Sequence, residues 1–307
     1  MSKKIAFLFP GQGAQYPGMG KDFYEEFQSA RDVFEEADEF LSLKFSKLIF
    51  EGPEQDLMLT KNSQMAIYIT SCAILKALQS QFPQITPTVC AGLSLGEYTA
   101  LFASGRINFK EGLSLVRSRG QYMNDACEKT QGTMRVVLGL DDETVSKLLP
   151  QNVWVANSNC PGQVVIAGLT SEMPKAEEAL KAGGAKRVLP LDVSGAFHTP
   201  LMKEAQEKLK SQLLEVNLIE SEIDFVMNVP GAYVQDPKQI RNYLIQQVVS
   251  PTRWKMGVEA MMQKGIEVYV EIGPGKSLTG MNKKIGASGV SLNIEKISDL
   301  GCVCNIC

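Results

Sequence analysis

Apolar residues along the chain follow two rhythms. Short unbroken runs such as IAFLF (5–9), TPTVCAG (86–92), DFVMNV (224–229) and EVYVEIG (267–273) are bounded by glycine, proline or polar residues. Runs of that length predict strands buried on both faces, as in a parallel sheet. Between them apolar positions recur at helical spacing, around 23–41, 62–82, 108–127, 199–216, 237–248, 252–263 and 276–285. Strand, glycine turn and helix, repeated, predict an α/β fold with helices on both faces of the sheet.

The rhythm changes between 129 and 195. GTMRVVLGL reads as a strand, DDETVSKLLP as a short helix, and NVWVANS and GQVVIAG as two strands. TSEMPKAEEALKAGG is a helix and AKRVLPL a strand. The order βαββαβ is the ferredoxin-like pattern, here inserted into the α/β pattern. The expected division is a discontinuous large subdomain (1–128 and 196–298), a ferredoxin-like insert (129–195) and a tail (299–307). No internal repeat or low-complexity segment is visible.

Composition narrows the function classes. A length of 307 residues fits two domains or one large domain with an insertion. A net charge of −3 gives no reason to expect nucleic acid or an anionic membrane as partner. No apolar run approaches a membrane span. Lys3 and Lys4 precede five apolar residues, but Pro10 and Gly11 end the run too early for a signal peptide. Cys72, Cys90, Cys127 and Cys160 lie far apart in apolar surroundings and read as reduced thiols, so a cytoplasmic location is expected. Cys302, Cys304 and Cys307 crowd the end without a nearby histidine, a poor zinc set, and a loose tail is expected there. No metal or other cofactor is expected.

Chemistry concentrates at GLSLGEYTAL (92–101). Ser94 and Glu97 are spaced as a capping box, which would explain a strand–turn–helix without any catalysis. The same residues form G-x-S-x-G, the nucleophile elbow, in which a serine occupies a strained turn and a helix N-terminus offers N–H groups to an oxyanion. The strand before and the helix after favour the elbow. A serine nucleophile needs a base, and the chain has one histidine, His198. It precedes Thr199 and Pro200, a helix N-cap and first position, where the helix dipole disfavours imidazolium. A lone histidine is ordinarily structural, and only the elbow changes that balance. Asp192 could orient the ring or serve as a turn residue, with the turn favoured. Two other glycine-rich stretches fail as nucleotide motifs: GQGAQY has Tyr16 where a dinucleotide fingerprint needs glycine, and GPGKS has Val270 where a P-loop begins.

FLFPGQGAQYPGMG, GLSLGEYTAL, SRGQYM, NSNCPGQVVIAG, SGAFHTPLM and VEIGPGKSLTG, in this order, resemble the malonyl-CoA:acyl-carrier-protein transacylases, acyltransferases of fatty-acid synthesis. The resemblance covers residues 5 to about 295. It implies an α/β-hydrolase-like large subdomain with a ferredoxin-like insert. It implies a Ser94–His198 dyad whose histidine is oriented by a backbone carbonyl, leaving Asp192 without a role. The N–H groups of Gln12 and Leu95 would form the oxyanion hole. Arg119, rather than its neighbour Arg117, would grip the free carboxylate of malonyl, because a guanidinium offers two parallel hydrogen bonds. Acetyl would leave that arginine unpaired. Phe197 would exclude a branched acyl group, and Gln64 and Gln247 would line the cleft.

The implied reaction is ping-pong. Malonyl passes from malonyl-CoA to Ser94 and then to the phosphopantetheine thiol of acyl carrier protein. The carrier is expected to be acidic, with Lys186, Arg187, Lys283 and Lys284 as candidate rim residues on a monomer. One departure stands out: Leu93 replaces the histidine that usually precedes the serine, with an expected change in packing or hydrogen bonding behind the elbow. Two other functions remain. A serine hydrolase would use the same dyad but admit water, and a carrier-binding domain would need neither residue.

Overall fold

The structure, a computed structural model, describes residues 3–305. Among the described residues ten strands form two sheets. In the large sheet β1 (Ile5–Phe9), β2 (Val89–Gly92), β7 (Asp224–Met227), β9 (Val268–Ile272) and β10 (Val290–Ile294) run parallel in the order β10-β9-β1-β2-β7, and the two-residue strand β8 (Ala232–Tyr233) closes one edge antiparallel. Every residue of β1, β2 and β9 is buried, which is why these strands read as continuous apolar runs. β1 sits between β2 and β9, so the loops after β1, β2 and β9 leave the same edge side by side. In open α/β sheets ligands bind at these carboxyl ends.

The second sheet holds β3 (Gly132–Leu138), β4 (Val153–Cys160), β5 (Gln163–Leu169) and β6 (Arg187–Pro190) in the antiparallel order β4-β5-β3-β6. With helices Asp142–Leu148 and Met173–Ala182 this is the βαββαβ unit expected from the sequence. It has its own apolar core, built on Val137, Val145, Val153, Val164, Ile166 and Leu180. It meets the large sheet's side through Ser158 N–H, which donates to Thr252 O at 2.8 Å, and Thr252 N–H, which donates to Ala156 O at 2.9 Å.

The helix Thr60–Gln81 runs through the interior, and every residue from Ser63 to Leu75 is buried. A helix enclosed on all sides has no polar face, so its few polar side chains must find partners inside. Helix Phe109–Lys129 packs beside it and starts at a true capping box: Glu111 N–H donates to Asn108 Oδ1 at 2.9 Å, and Asn108 N–H to Glu111 Oε2 at 3.4 Å.

Several expectations are corrected. The long helix over 23–41 is two, Lys21–Glu26 and Gln28–Leu41, because Phe27 is extended at φ −110°. The structure adds two short helices, Phe45–Glu51 and Glu54–Met58, and strands β8 and β10, which the apolar pattern does not predict. The segment after 298 is not loose as far as it is described. Ile297–Asn305 forms 3₁₀ turns that bury Leu300 and Val303 in the main core. Asp299 fastens them by accepting from the N–H groups of Glu295 and Lys296 at 3.0 and 2.8 Å. Cys302 is half-buried and Cys304 exposed, while Cys307 lies outside the described residues. Among the described residues no helix is long and apolar enough to cross a membrane.

Candidate active site

The turn after β2 carries Ser94 at φ +53°, a left-handed conformation that costs a non-glycine residue on the order of 1–2 kcal/mol. It stands because strand, turn and following helix (Gly96–Ala103) touch backbone to backbone. A Cβ on Gly92 would lie 2.0 Å from the Gly96 carbonyl carbon, and one on Gly96 would lie 2.1 Å from Phe9 O. Only glycine fits either place. The competing capping box is absent. Glu97 turns away from the helix end, and its two carboxylate oxygens accept from Asn228 N–H at 2.6 Å and from Gln247 Nε2–H.

Ser94 Oγ lies 2.9 Å from His198 Nε2. His198 Nδ1 lies 2.8 Å from the main-chain oxygen of Gln247. A carbonyl only accepts, so Nδ1 carries the proton of the neutral ring and Nε2 faces the hydroxyl as acceptor. His198 is itself left-handed at φ +61°, and its N–H donates to Val248 O at 3.1 Å. Burial, and then the positive charge of Arg119, hold its pKa down at about 4. The ring therefore stays neutral at ordinary pH, as a general base requires. Asp192 is exposed and has no place in this arrangement.

Arg119 is 1 % exposed whereas Arg117 points to solvent. Its Nη1 donates to Gln64 Oε1 at 2.6 Å, and its Nη2 donates to both Gln247 Oε1 and Ser94 Oγ at 2.9 Å. The guanidinium also lies 5.6 Å from the centre of the Tyr98 ring. Burial lowers its pKa from the usual arginine value, and the neighbouring Tyr98 and Glu97 oppose that shift. Gln64 and Gln247, expected to line the cleft, are instead fully buried behind it and hold Arg119.

Above Ser94 and His198 opens a cavity of about 300 Å³ between the two subdomains. Gln12 and its loop form one side, and Leu278 and Met281 of helix Ser277–Ile285 another. The insert supplies Met134, Val136 and Val165, so its apolar face roofs the site. Phe197, 5 % exposed, contributes to the wall beside the histidine. Leu95, the residue after Ser94, is buried at the start of its helix, where a main-chain N–H has no intrahelical acceptor. Gln12 lines the cavity and donates from its side chain to Thr60 Oγ1 at 3.2 Å. Leu93 also faces this cavity and packs with the apolar cluster of Leu278 and Met281. Its effect is therefore on the cavity wall rather than behind the elbow.

Sequence reasoning missed the roles of two residues of the site. Asn228, just past β7, accepts from Ser94 N–H at 2.6 Å and donates to Gly92 O at 2.7 Å, which pins both sides of the elbow. Glu97 looked like half of a helix cap. A polar residue at the carboxyl end of a buried strand was the one available hint for Asn228. Among the described residues no group of three or more His, Cys, Asp or Glu side chains could hold a metal.

Comparison with known proteins gives the family. The acyl transferase domain family matches residues 6–298. The malonyl CoA-acyl carrier protein transacylase of Bacillus subtilis is 43 % identical over 288 residues, 92 % of this chain and 90 % of that one. The crystal structure of the transacylase of that name from Clostridium perfringens superposes with a TM-score of 0.93 at 37 % identity, over 98 % of this chain and 96 % of the other. A malonyl-transacylase solved in complex with a type II polyketide acyl-carrier protein also gives 0.93, at 37 % identity over 97 % and 98 % of the two chains. An elbow serine held by the only histidine, a buried arginine at the same oxygen and this likeness along nearly the whole chain lead to one assignment: the chain belongs to the acyl transferase family, among the malonyl CoA-acyl carrier protein transacylases.

Proposed function

We propose that the chain moves malonyl from malonyl-CoA to the phosphopantetheine thiol of acyl carrier protein through a malonyl-serine ester, supplying fatty-acid synthesis. Ser94 Oγ attacks the thioester carbonyl while His198 Nε2 takes its proton. The N–H groups of Leu95 and Gln12 hold the oxyanion. Coenzyme A leaves as a thiol, protonated by His198. The carrier's thiol then gives its proton to the same nitrogen and attacks the ester. Arg119 binds the malonyl carboxylate, and Gln64 and Gln247 fix the plane of its guanidinium. Phe197 limits the width of the acyl group. The steps use the chain's own groups, with no resident cofactor or metal, and we place them in a cytoplasmic monomer.

The observation that carries this reading is a buried arginine whose Nη2 lies 2.9 Å from the nucleophilic oxygen. A cation there has no use for a neutral acyl group. It matches an acyl chain that ends in a carboxylate separated from the carbonyl by one methylene.

The carrier's side is read from charge. Lys186, Arg187, Lys283 and Lys284 are all exposed. Lys284 Nζ donates to Gln163 Oε1 at 3.2 Å, and Gln163 lines the cavity mouth. Lys186 lies against Gly139, whose N–H donates to Gly162 O at 2.9 Å, so both lysines approach the turn between β4 and β5. An acidic carrier docking there would place its arm over the cavity.

The test is intact-protein mass after brief exposure to malonyl-CoA, beside acetyl-CoA and Ser94→Ala. One malonyl gained by the wild type alone, discharged by holo carrier faster than by water, is the expected result. Thioester consumed without an adduct would instead mark a hydrolase.

A further inference from the structure

Arg119 uses one nitrogen for two partners. Nη2 donates to Gln247 Oε1 and to Ser94 Oγ, each at 2.9 Å, while Nη1 is taken by Gln64. All three partners are uncharged. Ser94 Oγ is consequently engaged on two sides, by His198 Nε2 and by the guanidinium, both at 2.9 Å. An alcohol oxygen attacks a carbonyl through a lone pair, and a cationic donor on one of its two lone pairs withdraws electron density from the oxygen and fixes its direction. The same cation opposes proton uptake by His198, after burial the largest influence on that ring.

A carboxylate is a stronger acceptor for a guanidinium than a neutral hydroxyl is. If it enters the cavity on an acyl group, it competes with Ser94 Oγ for Nη2. We infer that Arg119 restrains Ser94 in the free enzyme, and that the terminal carboxylate of the incoming acyl group releases the nucleophile by drawing Nη2 away from Oγ. This rests on Arg119 being the receptor for the malonyl carboxylate. It adds that the receptor is also a lock on the reacting oxygen. Acyl groups without a carboxylate are then refused twice, because they leave the arginine unpaired and they leave Ser94 held.

The lock is tested with an electrophile that carries no charge. An uncharged alkyl phosphonofluoridate reacts with the full-length protein by forming an Oγ–P bond and breaking P–F. Fluoride leaves, and the serine proton passes to His198. Its rate on Ser94 is read by intact mass for the wild type, Arg119→Ala and Arg119→Met, with malonyl-CoA loading measured on the same samples. Arg119→Met fills the arginine's space without a donor, which separates release of Ser94 from mere widening of the cavity. Thermal melts verify that each variant is folded. The expected result is phosphonylation at least about fivefold faster in both variants, with malonyl loading reduced about a hundredfold. Unchanged or slower phosphonylation with malonyl loading lost would overturn the lock and leave the carboxylate site intact. Acceleration in Arg119→Ala alone would also overturn it, by assigning the effect to space. Malonyl loading kept in both variants would remove the carboxylate site and the lock together.

Discussion

Gln247 holds His198 by its main chain, its carbonyl oxygen accepting from Nδ1 at 2.8 Å. Its side chain meanwhile ties three other parts of the site: Oε1 accepts from Arg119, and Nε2 donates to Ser94 O at 2.9 Å and to Glu97. One residue at the end of helix Pro237–Gln247 thus positions His198, the backbone of Ser94 and Arg119.

Gln247→Ala separates these duties, because the main-chain carbonyl survives. Phosphonylation of Ser94 by a neutral reagent should persist, showing that the base is still oriented. Malonyl loading should fall by about 10- to 100-fold as Arg119 loses its alignment. Buried partners left unpaired should cost about 1–3 kcal/mol in denaturant unfolding. Equal loss of both reactions would show that the carbonyl moved as well.

Glu97 is fully buried, and desolvation raises its pKa to about 8 against the donors Asn228 and Gln247. Glu97→Ala strands both donors, so a loss of several kcal/mol is expected, on the order of 2–4. Stability near that of the wild type would mean that water fills the gap and that the carboxylate is dispensable.

Gly92→Ala tests the elbow's geometry. The added methyl would overlap the backbone of Gly96, which no rotamer change can relieve. A loss of about 3 kcal/mol or more, or no soluble protein, is expected. A folded, active Gly92→Ala protein would show that strand and helix can part.

The pH dependence follows from two opposite shifts. His198 titrates near 4 folded and near 6.5 unfolded, so between these values only the unfolded chain binds the proton. Its contribution to stability is complete above 6.5 and is lost as pH falls towards 4. Glu97 runs the other way: folded near 8 and unfolded near 4.5, its contribution is complete below 4.5 and is lost as pH rises to 8. Urea unfolding of His198→Ala beside the wild type should therefore show a wild-type advantage that is full above pH 6.5 and shrinks towards acid. The acid limb of kcat/KM for malonyl-CoA, which reports the free enzyme, should lie well below pH 6.5. A limb at 6.5 or above would contradict the buried, cation-facing histidine.

Charge reversal at Lys186 and Lys284 should raise KM for the carrier by about tenfold or more, in a manner that added salt diminishes. Loading of Ser94 by malonyl-CoA should change far less. An equal effect on both half-reactions would place these lysines on coenzyme A instead.

The elements were legible because they depend on neighbours in sequence. Continuous apolar runs marked β1, β2 and β9, and helical spacing marked the long helices. The insert announced itself by its element order. β10 escaped because its residues are mostly half-buried and follow no strict alternation. The end of the chain escaped because Leu300 and Val303 are too few to show a period, although both are buried.

By itself the sequence determined which chemistry was available: one histidine, an elbow serine between glycines, and motifs in the order of one family. Only the tertiary structure decided how they act together. Arg119 over Arg117, Gln64 and Gln247 behind the cleft, Asn228 at the elbow and Glu97 as a buried acceptor all follow from where five separate helices and strands meet. Hydrogen bonds between distant segments depend on side-chain direction and on burial, which excludes water as the alternative partner. Spacing along the chain encodes neither.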